Sequence, residues 1–300
     1  MRAMSDSSSR EARVGTLTAL GAYLLWGLFP IYWKRLSGVE SLQILCHRIV
    51  WAAAFTVVAL VVLSKLPSLT ALLRDRRRLL FAACAALLIT VNWGTYIWAV
   101  NSGHVTESSL GYYINPLVSV ALGAIFFRER LDKWAAWAVG VATAGVAVAS
   151  VLMGSLPWIS LALALSFGLY GLVKKKAGLE PLAGLAAETL FASPFALAFL
   201  AVRHASGAGA FGGPDMVANA MLLLAGVVTA VPLLLFATAA NRISLTRMGF
   251  IQYVSPTLQF ALGILVYGEV VRPPMAVAFA TVIGAVCLYA FTRGRAGRGR

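Results

Sequence analysis

The chain predicts an all-α membrane protein of ten transmembrane helices, built as two inverted five-helix repeats. Three observations carry the prediction: a succession of long apolar runs, basic residues sorted onto alternate connections, and a self-match at a shift of 140 residues. The 300 residues are 60% hydrophobic and 12% charged, with mean hydropathy +0.83. Soluble domains carry about 25% charged residues. A spanning helix needs about 20 mainly apolar residues. Ten such runs lie near 14–33, 41–64, 79–100, 106–127, 134–152, 156–173, 182–202, 217–239, 246–267 and 274–292. Little chain remains for a separate soluble domain. The first run is longer than a signal-peptide core, so no cleavable signal is expected. Residues 1–13, rich in Ser with Arg and Asp, are expected to be a disordered cytoplasmic tail, and 293–300 a basic cytoplasmic tail.

Twenty of the 25 Lys and Arg fall on the tails and the even-numbered connections. They are Arg2, Arg10 and Arg13; Lys65, Arg74, Arg76, Arg77 and Arg78; Arg128, Arg130 and Lys133; Lys174, Lys175 and Lys176; Arg242 and Arg247; and Arg293, Arg295, Arg298 and Arg300. The odd connections hold only Lys34, Arg35, Arg203 and Arg272, and Arg48 lies inside a run. Cationic loops stay cytoplasmic during insertion. Both termini are therefore expected in the cytoplasm, with an even number of crossings. The net charge of +14 is read as topogenic and lipid-facing, with no nucleic-acid partner.

Shifted by 140, Asn101 falls on Asn241, Tyr113 on Tyr253, Pro116 on Pro256, Gly123 on Gly263 and Glu129 on Glu269. Eleven of the fifty positions from 101 to 150 are identical without a gap. The same shift sets Val39-Glu40 on Leu179-Glu180, and one extra residue sets Trp26-Gly27-Leu28 on Phe167-Gly168-Leu169. Runs one to five thus repeat as runs six to ten, dividing the chain at 14–152 and 153–292. Because five is odd, the second copy must enter from the opposite side, which is the architecture of many secondary transporters. Duplication can also build a static membrane protein.

Taken in order, the runs carry few polar side chains. Run two holds Arg48 and run seven Glu188, which are 140 residues apart and opposite in charge. Intramembrane charges are costly and usually functional. At 1.5 Å per residue each lies about 10 Å from its entry point, so their depths differ by roughly 10 Å. Two halves of one polar path are expected rather than a direct bridge, the alternative being two structural charges. Run three brings Asn92 level with Arg48, with Tyr96 on the same face and Trp93 nearby, and run four brings Tyr112 to a similar level and Asn115 near the midplane. They form a candidate outer-half pocket of one cation, amides and rings. It suits a small amphipathic solute with a carboxylate and a flat apolar part, Arg48 anchoring the carboxylate.

In run nine, Gln252 and Tyr253 are expected with Glu188 in an inner-half set. Glu188 is the candidate for carrying a coupled proton. Pro116 and Pro256 are candidate helix kinks, freeing the carbonyls of Tyr112 and Gln252. Trp33 and Trp134 are expected in the interfacial belt, and Glu129 and Glu269 in caps or loop contacts. The Ala and Gly stripes of runs five and ten permit close helix contact, within the fold or across a homodimer.

Trp26-Gly27-Leu28-Phe29-Pro30, His47-Arg48-Ile49-Val50-Trp51, the stretch from Val91 to Asn101, Ser109-Leu110-Gly111-Tyr112-Tyr113-Ile114-Asn115-Pro116-Leu117 and Gly249-Phe250-Ile251-Gln252-Tyr253 resemble the RarD-type branch of the EamA family. That family belongs to the drug/metabolite transporter superfamily. The resemblance covers roughly 14–292, leaving out both tails. It implies ten helices in two inverted EamA repeats, a bacterial cytoplasmic membrane and a permease role. No HExxH, GxSxG or Walker motif is present, and Cys46, Cys84 and Cys287 stand singly. No enzyme, metal site, disulfide or cofactor is expected. The function expected is alternating-access transport of a small solute, with a membrane scaffold or solute sensor as the alternative.

Overall fold

The computed structural model describes residues 2–128, 133–154 and 156–298. Every regular element among them is a helix: α1 (Arg2–Gly27), α2 (Phe29–Lys34), α3 (Ser41–Val62), α4 (Leu66–Arg74), α5 (Arg76–Asn101), α6 (Val105–Phe127), α7 (Lys133–Met153), α8 (Trp158–Ala177), α9 (Pro181–Ala205), α10 (Met216–Ala240), α11 (Leu245–Ile251), α12 (Val254–Leu265) and α13 (Pro273–Arg298). Eight stretches are long and apolar enough to cross a membrane. Two shorter apolar helices, Ala136–Leu152 and Pro273–Ala285, stand in the fifth and tenth runs.

Several boundaries differ from the hydropathy pattern. The first helix begins at Arg2, so residues 2–13 are helical where a disordered tail was expected. Glu11 ties it to the bundle through an ion pair with Arg242 at 2.9 Å. The first run also breaks at Leu28, because Pro30 in the first turn of α2 has no N–H to continue the ladder. The connection after α3 forms α4, whose Leu69 and Leu72 are buried against α9. Asp75 then caps α5, accepting from the N–H groups of Arg77 and Arg78 at 2.9 and 3.2 Å. At the other end, α13 carries the basic tail on as helix to Arg298.

The two prolines resolve differently. Pro116 lies inside an unbroken α6. Pro256 lies in the first turn of α12, where a missing N–H costs little. The Ser255 N–H takes the Gln252 carbonyl instead, at 3.1 Å, leaving a turn at 252–253 between α11 and α12.

Three of the five regions matched at a shift of 140 also meet in space. Matched helices pack on one another: α3 on α9, α7 on α13, and α6 on α11 and α12. The α3–α9 pair runs antiparallel, with Arg203 on Glu40 at 2.7 Å at one end and Lys65 on Glu180 at 3.1 Å at the other. Matched residues meet at the α6–α12 crossing. Tyr113 and Tyr253 lie ring to ring, 6.0 Å apart. Ser109 Oγ donates to the Pro256 carbonyl at 3.0 Å, and a Cβ on Gly249 would sit 3.2 Å from the Pro116 carbonyl. Lipid gives apolar helices no hydrophobic reason to associate, so close packing decides their contacts. At Gly226 an added Cβ would lie 2.3 Å from the Trp51 carbonyl, so only glycine permits the α10–α3 approach. Part of the small-residue stripes lies between α7 and α13, with Ala138, Ala142 and Ala149 buried on one and Ala278 and Ala285 on the other, whereas Ala136, Gly140, Ala144, Ala276, Ala280 and Gly284 are exposed. Glu269 caps α6, accepting from the N–H groups of Val105 and Thr106 at 3.2 and 2.8 Å. Its match Glu129 lies outside the described residues.

Candidate functional site

Between the two halves lies a narrow cavity. The first half lines it with Tyr23, Trp26, Phe29, Arg48, Asn92, Trp93, Tyr96 and Tyr112, the second with Phe167, Gln252, Ser255 and Gln259. All but Trp26 and Tyr112 are buried.

Arg48 is 1% exposed. Its Nε donates to Thr229 Oγ1 of α10 at 3.0 Å. The guanidinium lies over the rings of Trp33 and Trp93, 4.4 and 4.6 Å from their centroids, with Phe29 at 5.9 Å. A desolvated cation–ring contact contributes about 2 kcal/mol, which offsets part of the burial cost. No carboxylate among the described residues pairs with it, and Nη1 is buried without a hydrogen-bond partner. Trp33 is thus a fully buried wall of the Arg48 site instead of an interfacial ring, while Trp134 is exposed. The hydropathy pattern put Trp33 at a run's edge, but the short helix α2 turns it inward toward Arg48.

A chain of amides and hydroxyls frames the opposite wall. Tyr112 donates to Asn92 Oδ1 at 3.3 Å, and Asn92 Nδ2 donates to the Leu163 carbonyl and to Ser166 Oγ at 3.1 and 3.0 Å. Asn115 donates to the Ala164 carbonyl at 2.7 Å and accepts from Gln252 Nε2 at 2.5 Å. Tyr23 donates to Gln252 Oε1 at 3.4 Å. Gln259 Nε2 reaches the Trp26 carbonyl and Ser255 Oγ at 3.1 and 3.2 Å, leaving its Oε1 unpartnered. The hydroxyl of Tyr96, whose ring packs edge-on against Tyr112, is also buried without a partner.

The structure therefore brings Arg48, Asn92, Trp93, Tyr96, Tyr112 and Gln252 to one cavity, with Asn115 one layer behind as the brace of Gln252. Two groupings are corrected. Gln252 belongs with Arg48 rather than with Glu188, because depth counted along a straight helix does not survive the 252–253 turn. Tyr253 faces away, against Tyr113 and the α13 cluster.

Glu188 forms no pair with Arg48. Lys174 Nζ donates to its Oε1 at 2.5 Å, and the Tyr170 hydroxyl to its Oε2 at 3.1 Å. Lys174 is 6% exposed, although it opens a run of three lysines whose charge alone had seemed topogenic. Its four-residue spacing from Tyr170, which puts both on one helix face, was the available signal. Sequence reasoning also missed Tyr23, Trp26, Phe29, Phe167, Ser255 and Gln259 as lining. No cluster of three or more His, Cys, Asp or Glu exists among the described residues. The arrangement can bind and orient a solute.

A model of the EamA-like transporter family matches residues 13–151 and 156–291. A protein of Bacillus subtilis (strain 168) named "Uncharacterized transporter YojE" is 42% identical, the match covering 94% of this chain and 95% of that protein. "Protein RarD" of Streptomyces exfoliatus is 43% identical over 97% of this chain and 92% of its own length. A crystal structure at 18% identity superposes with a TM-score of 0.65, covering 93% of this chain and 97% of the other, which shows a shared fold. With its two tandem family segments and relatives matched nearly end to end, the chain belongs to the EamA-like transporter family and is a RarD-type member of it.

Proposed function

We propose that the protein is a secondary transporter that moves a small amphipathic metabolite or drug by alternating access. The observation that carries this is the buried cavity walled by both halves of the chain, with polar groups left unpartnered. In this reading ten spans form two inverted repeats, 14–152 and 153–292, that rock about the cavity. The antiparallel α3–α9 pair and the meeting of matched residues at α6 and α12 support the inversion. The charge sorting supports a cytoplasmic location for both termini, in a bacterial cytoplasmic membrane.

The test starts from metabolite profiles of cells and medium with and without overexpression. Flux of the solutes that change is then measured in proteoliposomes holding only this protein. A carrier moves solute, whereas a scaffold or sensor at most binds it. Asn92→Ala, Tyr96→Ala and Tyr112→Ala should each lower flux about ten-fold, as loss of one or two hydrogen bonds in a dry site does, with membrane abundance near wild type. Full flux in all three variants would remove the cavity from the path.

A further inference from the structure

We propose that the cavity selects a planar aromatic solute carrying one carboxylate and no compensating ammonium. The proposal rests on the reading of this cavity as the solute site, and it assigns that solute a charge.

The matched positions of the two halves supply the first argument. At a shift of 140, Arg48 corresponds to Glu188. With the one extra residue that aligns Trp26 with Phe167, Phe29 corresponds to Tyr170 and Trp33 to Lys174. Those are the residues that surround the two charges. In the second half, Tyr170 and Lys174 donate to the carboxylate and neutralise it within the chain. In the first half, Phe29 and Trp33 offer only ring faces. Rings stabilise a cation through their faces but accept nothing from its in-plane N–H groups. Arg48 is thus a buried charge on the cavity wall with no anion among the described residues and with Nη1 unpartnered. A guanidinium presents parallel N–H groups that match the two oxygens of a carboxylate.

The remaining unpartnered atoms narrow the class. The Tyr96 hydroxyl can donate to a carboxylate oxygen, whereas Gln259 Oε1 can only accept and asks for an O–H or N–H on the solute. The rings of Trp26, Trp93, Tyr112 and Phe167 give the flat apolar contact. No Asp or Glu among the described residues lines the cavity, so an ammonium would meet the Arg48 cation with no counter-charge.

One 4-hydroxyphenylethyl scaffold in four charge states tests this. 3-(4-Hydroxyphenyl)propionate is an anion at neutral pH, L-tyrosine a zwitterion, tyramine a cation and 4-ethylphenol neutral. Binding of each to the full chain in detergent is measured by calorimetry. The anion should bind about ten-fold or more tighter than each of the other three. Arg48→Gln should bring it within about three-fold of 4-ethylphenol, and Tyr96→Phe should weaken the anion alone. Equal or tighter binding of L-tyrosine, tyramine or 4-ethylphenol to the wild-type protein overturns the proposal, as does an anion preference that survives in a monodisperse Arg48→Gln protein. The wild-type series decides the matter even if that variant does not fold. Because binding is read without a gradient, an anion preference with no flux in proteoliposomes would support the ligand class while counting against transport.

Discussion

Lys174 and Glu188 form a buried ion pair in which each charge exists for the other. Removing one member of such a pair costs about 3–5 kcal/mol, while replacing both by apolar residues of similar size is close to neutral. Lys174→Met should therefore lower the melting temperature in detergent markedly, and adding Glu188→Leu should recover most of the loss. A double variant as unstable as the single would show that Glu188 is held by something other than Lys174. Glu188 also remains the candidate for carrying a coupled proton. Glu188→Gln should still exchange solute across the membrane yet lose dependence on a pH gradient. If wild-type flux ignores the gradient, Glu188 is purely structural. Arg48 and Glu188 were conspicuous in the sequence because each interrupts an apolar run. Lys174 was not, because charge sorting already gave it a role, and Trp33 lies where a membrane-interface ring would.

Single backbone approaches set how the helices cross. Gly226→Ala forces a methyl group against the Trp51 backbone, which neither helix can yield without moving apart. Overpacking of this kind costs about 1–3 kcal/mol. Gly140, exposed on α7 with open space around it, should accept Ala with no loss and a gain of about 0.5–1 kcal/mol. Thermal unfolding of the two variants side by side checks the contrast, and an undisturbed Gly226→Ala protein would mean that α10 and α3 are not held this closely. Apolar run length revealed most of the long helices. It could not reveal α4, whose Leu69 and Leu72 read as a loop until α9 gives them a surface. Nor could it distinguish Pro116 from Pro256, since membrane helices tolerate proline and neighbouring contacts decide whether the ladder breaks.

For the molecule as a whole, the orientation proposed from charge is open to a direct check. In a background lacking Cys46, Cys84 and Cys287, an impermeant thiol reagent added outside intact cells should miss Thr70→Cys and label Ser206→Cys. Strong labelling of the first would reverse the assignment. The repeat was legible because Asn, Tyr, Pro, Gly and Glu matched in one register, whereas the way the halves interleave was not, since α12 joins α6 and α1 across the division. That interleaving leaves the halves clasped by two surface ion pairs, Glu40–Arg203 and Lys65–Glu180, at opposite ends of α3 and α9. If the halves rock, parting one end breaks one clasp and spares the other. The resting ratio of outward to inward molecules then depends on the difference between the clasps, not on their sum. Each exposed pair contributes about 0–1 kcal/mol, and a difference of 1 kcal/mol is about a five-fold ratio. Salt that takes the same amount from both pairs loosens the clasp yet leaves that ratio where it was, so in a carrier that rocks this way the duplicated pairs would buffer the resting bias against ionic strength.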